Sequence, residues 1–154
     1  MNKDLLHELF DYEDGQLINK FTRNSRAVKG KIAGCKKARG YTNVCINSKH
    51  YLLHRLIWIY HNGDIKDGLL IDHINCDKSD NRIENLRLVT HQENNLNNPN
   101  AKGYTHQKGK NRWNAFIGLN GKQKYLGSFD KEKDARQAYL KAKSNYHNIE
   151  VHHA

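Results

Sequence analysis

Apolar positions along this chain come in short runs whose period changes from one run to the next. Leu5, Leu6, Leu9 and Phe10 are spaced for one short amphipathic helix, and Asp14-Gly15 then turns the chain into the strand-like QLINKF. YTNVCIN and KHYLLH alternate around Asn47-Ser48, which predicts a β-hairpin. HRLIWIYH, residues 54–61, is apolar nearly all round and stops at Asn62-Gly63, the pattern of a short buried helix. GLLIDHI then reads as a strand, followed by a polar loop, the short strand LRLVT at 86–90 and a helix opening at HQENNLN. Thr90 and Glu93 stand at capping-box spacing there, which predicts Thr90 as the N-cap. Beyond Pro99, the only proline, three strands are expected over GYTHQKGKNRWNAFIGLNGKQKYLGSFD, with turns at Lys108-Gly109 and Asn120-Gly121. In the middle strand Trp113, Ala115, Ile117 and Leu119 share one face, with Trp113 read as core against the following helix. That helix starts near Asp130, its expected N-cap, and aligns Ala135, Ala138, Tyr139 and Ala142.

This order gives an α+β chain of small modules. A domain over 1–98 contains a basic, β-rich N-terminal element, a linker covers 99–101, a three-stranded antiparallel sheet plus one helix occupies 102–147, and 148–154 is a tail. With 154 residues, 37% hydrophobic content and a mean hydropathy of −0.93, there is little material for one large core. Charge sharpens the picture. The net formal charge is +10, divided as +6 over residues 1–66, −3 over 67–98 and +7 over 99–154. From Gly15 to Lys49 there are nine Lys or Arg and no acid. Such basic flanks fit a polyanion, and an acidic centre between them fits a hard cation. No run approaches a bilayer span and MNKDLLHELF is not a signal peptide, so a soluble protein of the cytoplasm, phage-encoded or bacterial, is expected with no membrane partner. Cys35, Cys45 and Cys76 are odd in number and far apart, so free thiols are expected.

The chemistry gathers at Asp72-His73, where a carboxylate adjoins an imidazole, a side chain able to take a proton from water. Neighbours in a regular strand point to opposite faces, so the pair needs the strand to end or bend there. Asn94, on the first turns of the helix after Thr90, could supply a second oxygen to a cation that keeps open positions for phosphate and water. The competing reading is an ordinary loop, because Asp, Asn and Ser are also turn formers.

The stretch resembles the HNH (ββα-metal) nuclease motif of phage and group I intron homing endonucleases, IDHxxxDxxDNRxxNLRxVTxxxN. It reads here as Ile71-Asp72-His73, Asp77, Asp80-Asn81-Arg82, Asn85-Leu86-Arg87, Val89-Thr90 and Asn94. LHRLIW, with His54 and Arg55, resembles the segment such proteins carry upstream. The resemblance implies Asp72 and Asn94 as ligands of Mg2+ or another divalent ion such as Mn2+. It implies His73 as general base and Asn85 as the residue that holds the loop and orients the base. His54 reads as a structural histidine and His91 as an exposed polar residue. Cys76 stands where glycine is usual, which strains the turn if that position needs positive φ.

Residues 102–146 resemble the DNA-binding domain of plant ethylene-response factors (the APETALA type) through Lys102-Gly103-Tyr104, Arg112-Trp113, Tyr125-Leu126-Gly127, Phe129 and Ala135 to Tyr139. That resemblance implies a DNA-facing sheet surface of Thr105, Gln107, Arg112, Asn114, Phe116, Gln123 and Tyr125, with Lys102, Lys108, Lys122 and Lys124 on phosphates. In the first domain the expected DNA contacts are Lys29, Lys31, Lys36, Lys37, Arg39, Arg55, Arg82 and Arg87. The expected function is a monomeric homing-type endonuclease, nicking double-stranded DNA by metal-assisted hydrolysis with a histidine base. A non-catalytic DNA-binding or regulatory protein with a degenerate motif is the alternative, and no RNP-like aromatic pattern points to RNA.

Overall fold

The computed structural model describes residues 1–38, 40–98, 100–119 and 121–146. One compact unit spans Met1–Asn97 and a second begins at Asn98.

In the first unit, α1 (Lys3–Leu9) is capped by Asn2, whose side chain accepts a hydrogen bond from Leu5 N at 3.1 Å. The helix stops one residue earlier than its apolar spacing suggests. Phe10, expected on the helix, instead opens β1 (Phe10–Glu13), which pairs antiparallel with β2 (Gln16–Asn19). Phe10 is fully buried, and a strand aims its ring into the same core as Leu6 and Leu9. Gly15, at φ +79°, makes the turn between β1 and β2; a Cβ there would meet Arg82 N at 2.8 Å, so the tip of this hairpin lies directly on the loop that follows Asp72-His73.

A three-stranded sheet follows, with β4 (Thr42–Ile46) between β3 (Cys35–Lys36) and β5 (Lys49–Leu52). Asn47 (φ 49°) and Ser48 (φ 62°) form its two-residue turn, both left-handed as such a hairpin requires. Helix α2 (Leu53–Asn62) buries Leu53, Leu56, Ile57, Trp58 and Ile59, and ends at Gly63 with φ 84°. That helix is the centre of the core, against which Leu6, Leu17, Val44, Ile71 and Leu88 also pack.

The strands β6 (Leu69–His73) and β7 (Leu86–Thr90) form an antiparallel ribbon in which Asp72 faces Arg87 and His73 faces Leu86. Helix α3 (His91–Leu96) has only six residues and depends on its cap. Thr90 Oγ1 accepts from Glu93 N, while Glu93 Oε2 accepts from Thr90 N at 2.7 Å, completing the capping box.

In the second unit β9 (Arg112–Leu119) lies between β8 (Tyr104–Gln107) and β10 (Lys122–Phe129), all antiparallel. The pairing of β9 with β10 shifts between Tyr125 and Gly127, which keeps Tyr125 opposite Phe116. Helix α4 (Glu132–Tyr146) buries Ala135 and lays Tyr139 and Ala142 against Ile117 and Leu119. A Cβ on Gly103 would fall 2.0 Å from the Tyr139 ring, so glycine is required there. The expected N-cap shifts by one: Lys131 O accepts the first helical bonds, from Asp134 N and Ala135 N, while Asp130 pairs with Arg112 at 3.2 Å. Trp113, expected in the core against this helix, is instead only half-buried, edge-on to Tyr104 at 5.6 Å and close to His106 at 4.5 Å. Among the described residues no helix is long and apolar enough to cross a membrane.

Candidate active site

The loop after His73 is polar because its side chains replace an apolar core with a hydrogen-bonded one. Asn85 is buried at its base; its Oδ1 accepts from Asn75 N, and its Nδ2 donates to Asn75 Oδ1 and Asp80 O at 2.9 and 2.7 Å. Ile74 N donates to Asn85 O, closing the neck of the loop. Asp77 Oδ1 accepts from Ser79 N and Oγ, and these bonds hold its carboxyl below the usual range. Asp80 accepts two bonds from the Arg82 guanidinium, which lower its pKa to about 2. These two acids are committed to the loop. Tyr12 on β1 braces it further by accepting from Ile83 N.

The ribbon runs through His73 and turns directly after it, so Asp72 and His73 point to opposite faces of its last two positions. His73, 4% exposed, places Nε2 3.1 Å from Asn81 Oδ1. Because Asn81 Nδ2 donates to Ser79 O, its oxygen faces the ring, and Nε2 must be the donor. The lone pair is left on Nδ1. This corrects one expectation: Asn85 holds the loop, but the amide that orients His73 is Asn81. Its place inside Asp80-Asn81-Arg82 was the available signal, with nothing in spacing to set it above Asn85.

The far side of the His73 ring is closed by His54 of α2, edge-on at 5.0 Å, and by Tyr41 at 6.2 Å. His54 is 5% exposed, and burial first, then His73 and Arg55, push its pKa down to about 3. The folded protein therefore keeps His54 neutral over a range where the unfolded chain takes up a proton. Stability contributed by His54 is complete above pH 6.5 and falls as the pH drops towards 3. Between pH 7 and pH 5 this group alone should remove about 2 kcal/mol. Urea unfolding at the two pH values should show that loss, and His54→Gln should flatten it.

On the other face, Arg87 donates to Asp72 Oδ2 from Nε and Nη2 at 3.1 and 2.9 Å, and Asn97 Nδ2 donates to the same oxygen at 2.9 Å. Asn97, which caps the end of α3, also donates to His73 O. It had no distinguishing mark in the run Asn94 to Asn98. Its own carbonyl accepts from Cys76 Sγ at 3.3 Å. Cys76 sits at φ 63°, so the glycine-like conformation is imposed on a residue with a Cβ at a cost of roughly 1 kcal/mol.

Among the described residues every hydrogen bond to Asp72 falls on Oδ2, and the half-buried Asn94 side chain makes none. Among the described residues one Asp72 carboxylate oxygen and the Asn94 amide oxygen are thus uncommitted, and oxygens of these two types suit hard cations. No group of three or more His, Cys, Asp or Glu side chains able to hold a metal occurs among the described residues.

The remaining expected DNA contacts divide into free and engaged groups. Lys29, Lys31, Lys36 and Lys37 are exposed, Arg55 is half-buried on α2, and Arg39 lies outside the described residues. Arg82 and Arg87 are ion-paired, to Asp80 and Asp72. In the second unit Lys102, Thr105, Gln107, Lys122, Gln123, Lys124 and Tyr125 are exposed, although Lys124 Nζ donates to the Tyr146 hydroxyl at 3.0 Å. Arg112 is taken up by Ser128 and Asp130, and Asn114 donates to Gln107. Phe116 and Tyr125 lie 5.4 Å apart on the outer face of the sheet with their rings tilted by 52°. The three cysteines are free and exposed.

Residues 51–96 match the HNH endonuclease family. The chain is 40% identical over 57 residues to the SPbeta prophage-derived candidate HNH homing endonuclease YosQ of Bacillus subtilis (strain 168), a match covering 37% of this chain and 33% of that protein. It thus spans about a third of that relative. It is also 32% identical over 84 residues to Protein 3.8 of Escherichia phage T7, covering 50% of this chain and 69% of the phage protein. The solved structure of DNA binding and cleavage by the HNH homing endonuclease I-HmuI has a similar fold, with a TM-score of 0.51 over 89% of this chain and 80% of that one at 20% identity. The chain carries an HNH endonuclease domain and belongs to one family with Protein 3.8 of phage T7.

Proposed function

We propose that this protein is a homing-type endonuclease that nicks double-stranded DNA by hydrolysis, with His73 as general base and one divalent cation on Asp72 and Asn94. The observation that carries the reading is the division of labour at the end of β6. Asp72 keeps one carboxylate oxygen uncommitted, while the adjacent His73 is buried and fixed through Nε2. Because the chain turns directly after His73, the scissile phosphate in this reading lies at the end of the ribbon, where the two faces meet.

His73 Nδ1 takes the proton from water as the oxygen attacks phosphorus in line, and Asn81 stabilises the imidazolium by accepting from Nε2. A bound Mg2+ or Mn2+ would neutralise charge developing on the phosphate and on the leaving 3′ oxygen. Asn85 keeps the loop closed, and Arg87 restrains the Asp72 carboxylate. The P–O3′ bond breaks, the 3′ oxygen takes a proton from solvent, and the products are a 5′-phosphate and a 3′-hydroxyl. The second unit supplies position: Lys102, Lys122 and Lys124 suit phosphates, and the Phe116–Tyr125 pair suits sugar or base contact, as in an APETALA-type sheet. A monomer with one site cuts one strand.

Purified protein mixed with supercoiled plasmid should yield open circles with Mg2+ and none with excess chelator. Plasmid bound tightly but left uncut at every divalent ion tried would favour the non-catalytic DNA-binding alternative.

A further inference from the structure

A second site emerges in the basic N-terminal element. Residues 23–27 of the loop after β2, together with parts of β3 and β4, line an open cavity of about 500 Å3. Arg23, Arg26, Asn24, Ser25, Asn43 and His50 are among its lining residues, and none of the lining residues is Asp or Glu. Asn24 Oδ1 accepts from Arg26 N and Ala27 N, and Thr22 Oγ1 from Lys29 N, so the loop is a built structure.

Arg23 is the unusual member. It is half-buried, its Nε is buried with no hydrogen-bond partner, and no salt bridge joins it to a carboxylate among the described residues. Burial pulls its pKa down, offset in part by the neighbouring Cys45. The guanidinium is nonetheless held in place: Nη2 donates at 2.7 Å to Oδ1 of the buried Asn19, and its carbon lies 4.8 Å over the Phe10 ring. A fixed, partly dehydrated guanidinium in an acid-free cavity is what an oxyanion binds best.

We infer that this cavity is a phosphodiester subsite, in which Arg23 and Arg26 hold one backbone phosphate of DNA separately from the phosphate being cut. This rests on the reading of the chain as a protein that acts on DNA. The rival is that Arg23 only covers Phe10, in which case Arg26 has no function.

Binding of a short labelled duplex by the full chain, measured in EDTA across a potassium chloride series, decides between them without any cleavage. Wild type should show a steeper fall of log affinity with log salt than Arg23→Gln or Arg26→Gln. The double variant should lose about 0.9 of slope, the share of one phosphate, or about threefold in the affinity change between 50 and 200 mM salt. An unchanged slope in the folded double variant overturns the inference. If Arg23→Gln fails to fold, the exposed Arg26→Gln decides alone, and an unchanged slope there is equally fatal. A parallel arm compares inorganic phosphate with chloride at equal ionic strength. Thermal stabilisation by phosphate that is lost in the variants, while their DNA slope stays that of wild type, assigns the cavity to free phosphate and overturns the DNA subsite. Normal duplex binding without nicking in Mg2+ sinks the endonuclease reading and leaves this one standing.

Discussion

His73→Ala should lower the nicking rate by a factor of about 10² to 10⁴, the range a positioned general base contributes, while duplex affinity stays within a few-fold of wild type. The two halves of that expectation come from the same geometry. His73 is 4% exposed, so it offers DNA little contact surface, yet its Nε2 is fixed on Asn81 and its Nδ1 carries the free lone pair. Alanine leaves Asn81 Oδ1 without its donor and opens a space beside His54, which costs about 1 to 3 kcal/mol of stability. The comparison therefore needs a matched thermal denaturation, so that lost activity in a folded protein is distinguished from lost protein. Asn81→Ala should have a smaller effect on rate, because the base survives without its orienting partner. A plasmid nicked at the wild-type rate by folded His73→Ala would remove His73 from the chemistry.

Much of the scaffold behind that site was readable because it depends on local rules. Thr90 and Glu93 satisfy each other within four residues, Asn47-Ser48 needs no distant partner to turn, and Gly63 stops α2 by its own φ. Residues whose role is set by long-range packing were harder to read. Phe10 continues the apolar spacing of α1, and only the pairing of β1 with β2 turns it into a strand. Asp130 has the chemistry of an N-cap, but Arg112 from the neighbouring strand competes for its carboxylate and the helix begins beyond it.

The site divides in the same way. The spacing of Asp72, His73, Asn85 and Asn94 marks the region, yet amides are chemically alike, and which one reaches the imidazole depends on the three-dimensional path of the loop. Asn81 does so because Asn85 is already used up in holding Asn75 and Asp80. Asn97 reaches Asp72 because α3 ends there. Arg23 stands apart for the opposite reason: among nine basic residues between Gly15 and Lys49, only burial and the lack of a carboxylate partner among the described residues single it out.

Asp72→Asn should lose nicking by at least about a hundredfold at Mg2+ levels that saturate wild type, since it replaces the single charged member of the proposed ligand pair with a neutral amide. Its side effects run against a simple loss of fitness. Arg87, whose side chain is 14% exposed, loses its counterion and is left partly buried with a positive charge, which should cost about 1 to 3 kcal/mol in chemical denaturation. The same change removes a negative charge from a chain of net +10 and frees a guanidinium next to the strand end, so duplex binding in EDTA should be equal to wild type or tighter. Lost cutting together with undiminished binding separates a metal-ligand role from a structural one, because a disordered ribbon would weaken both. If the folded variant nicks at the wild-type rate with Mg2+, the cation does not depend on Asp72, and the proposed pairing of Asp72 with Asn94 has to be abandoned.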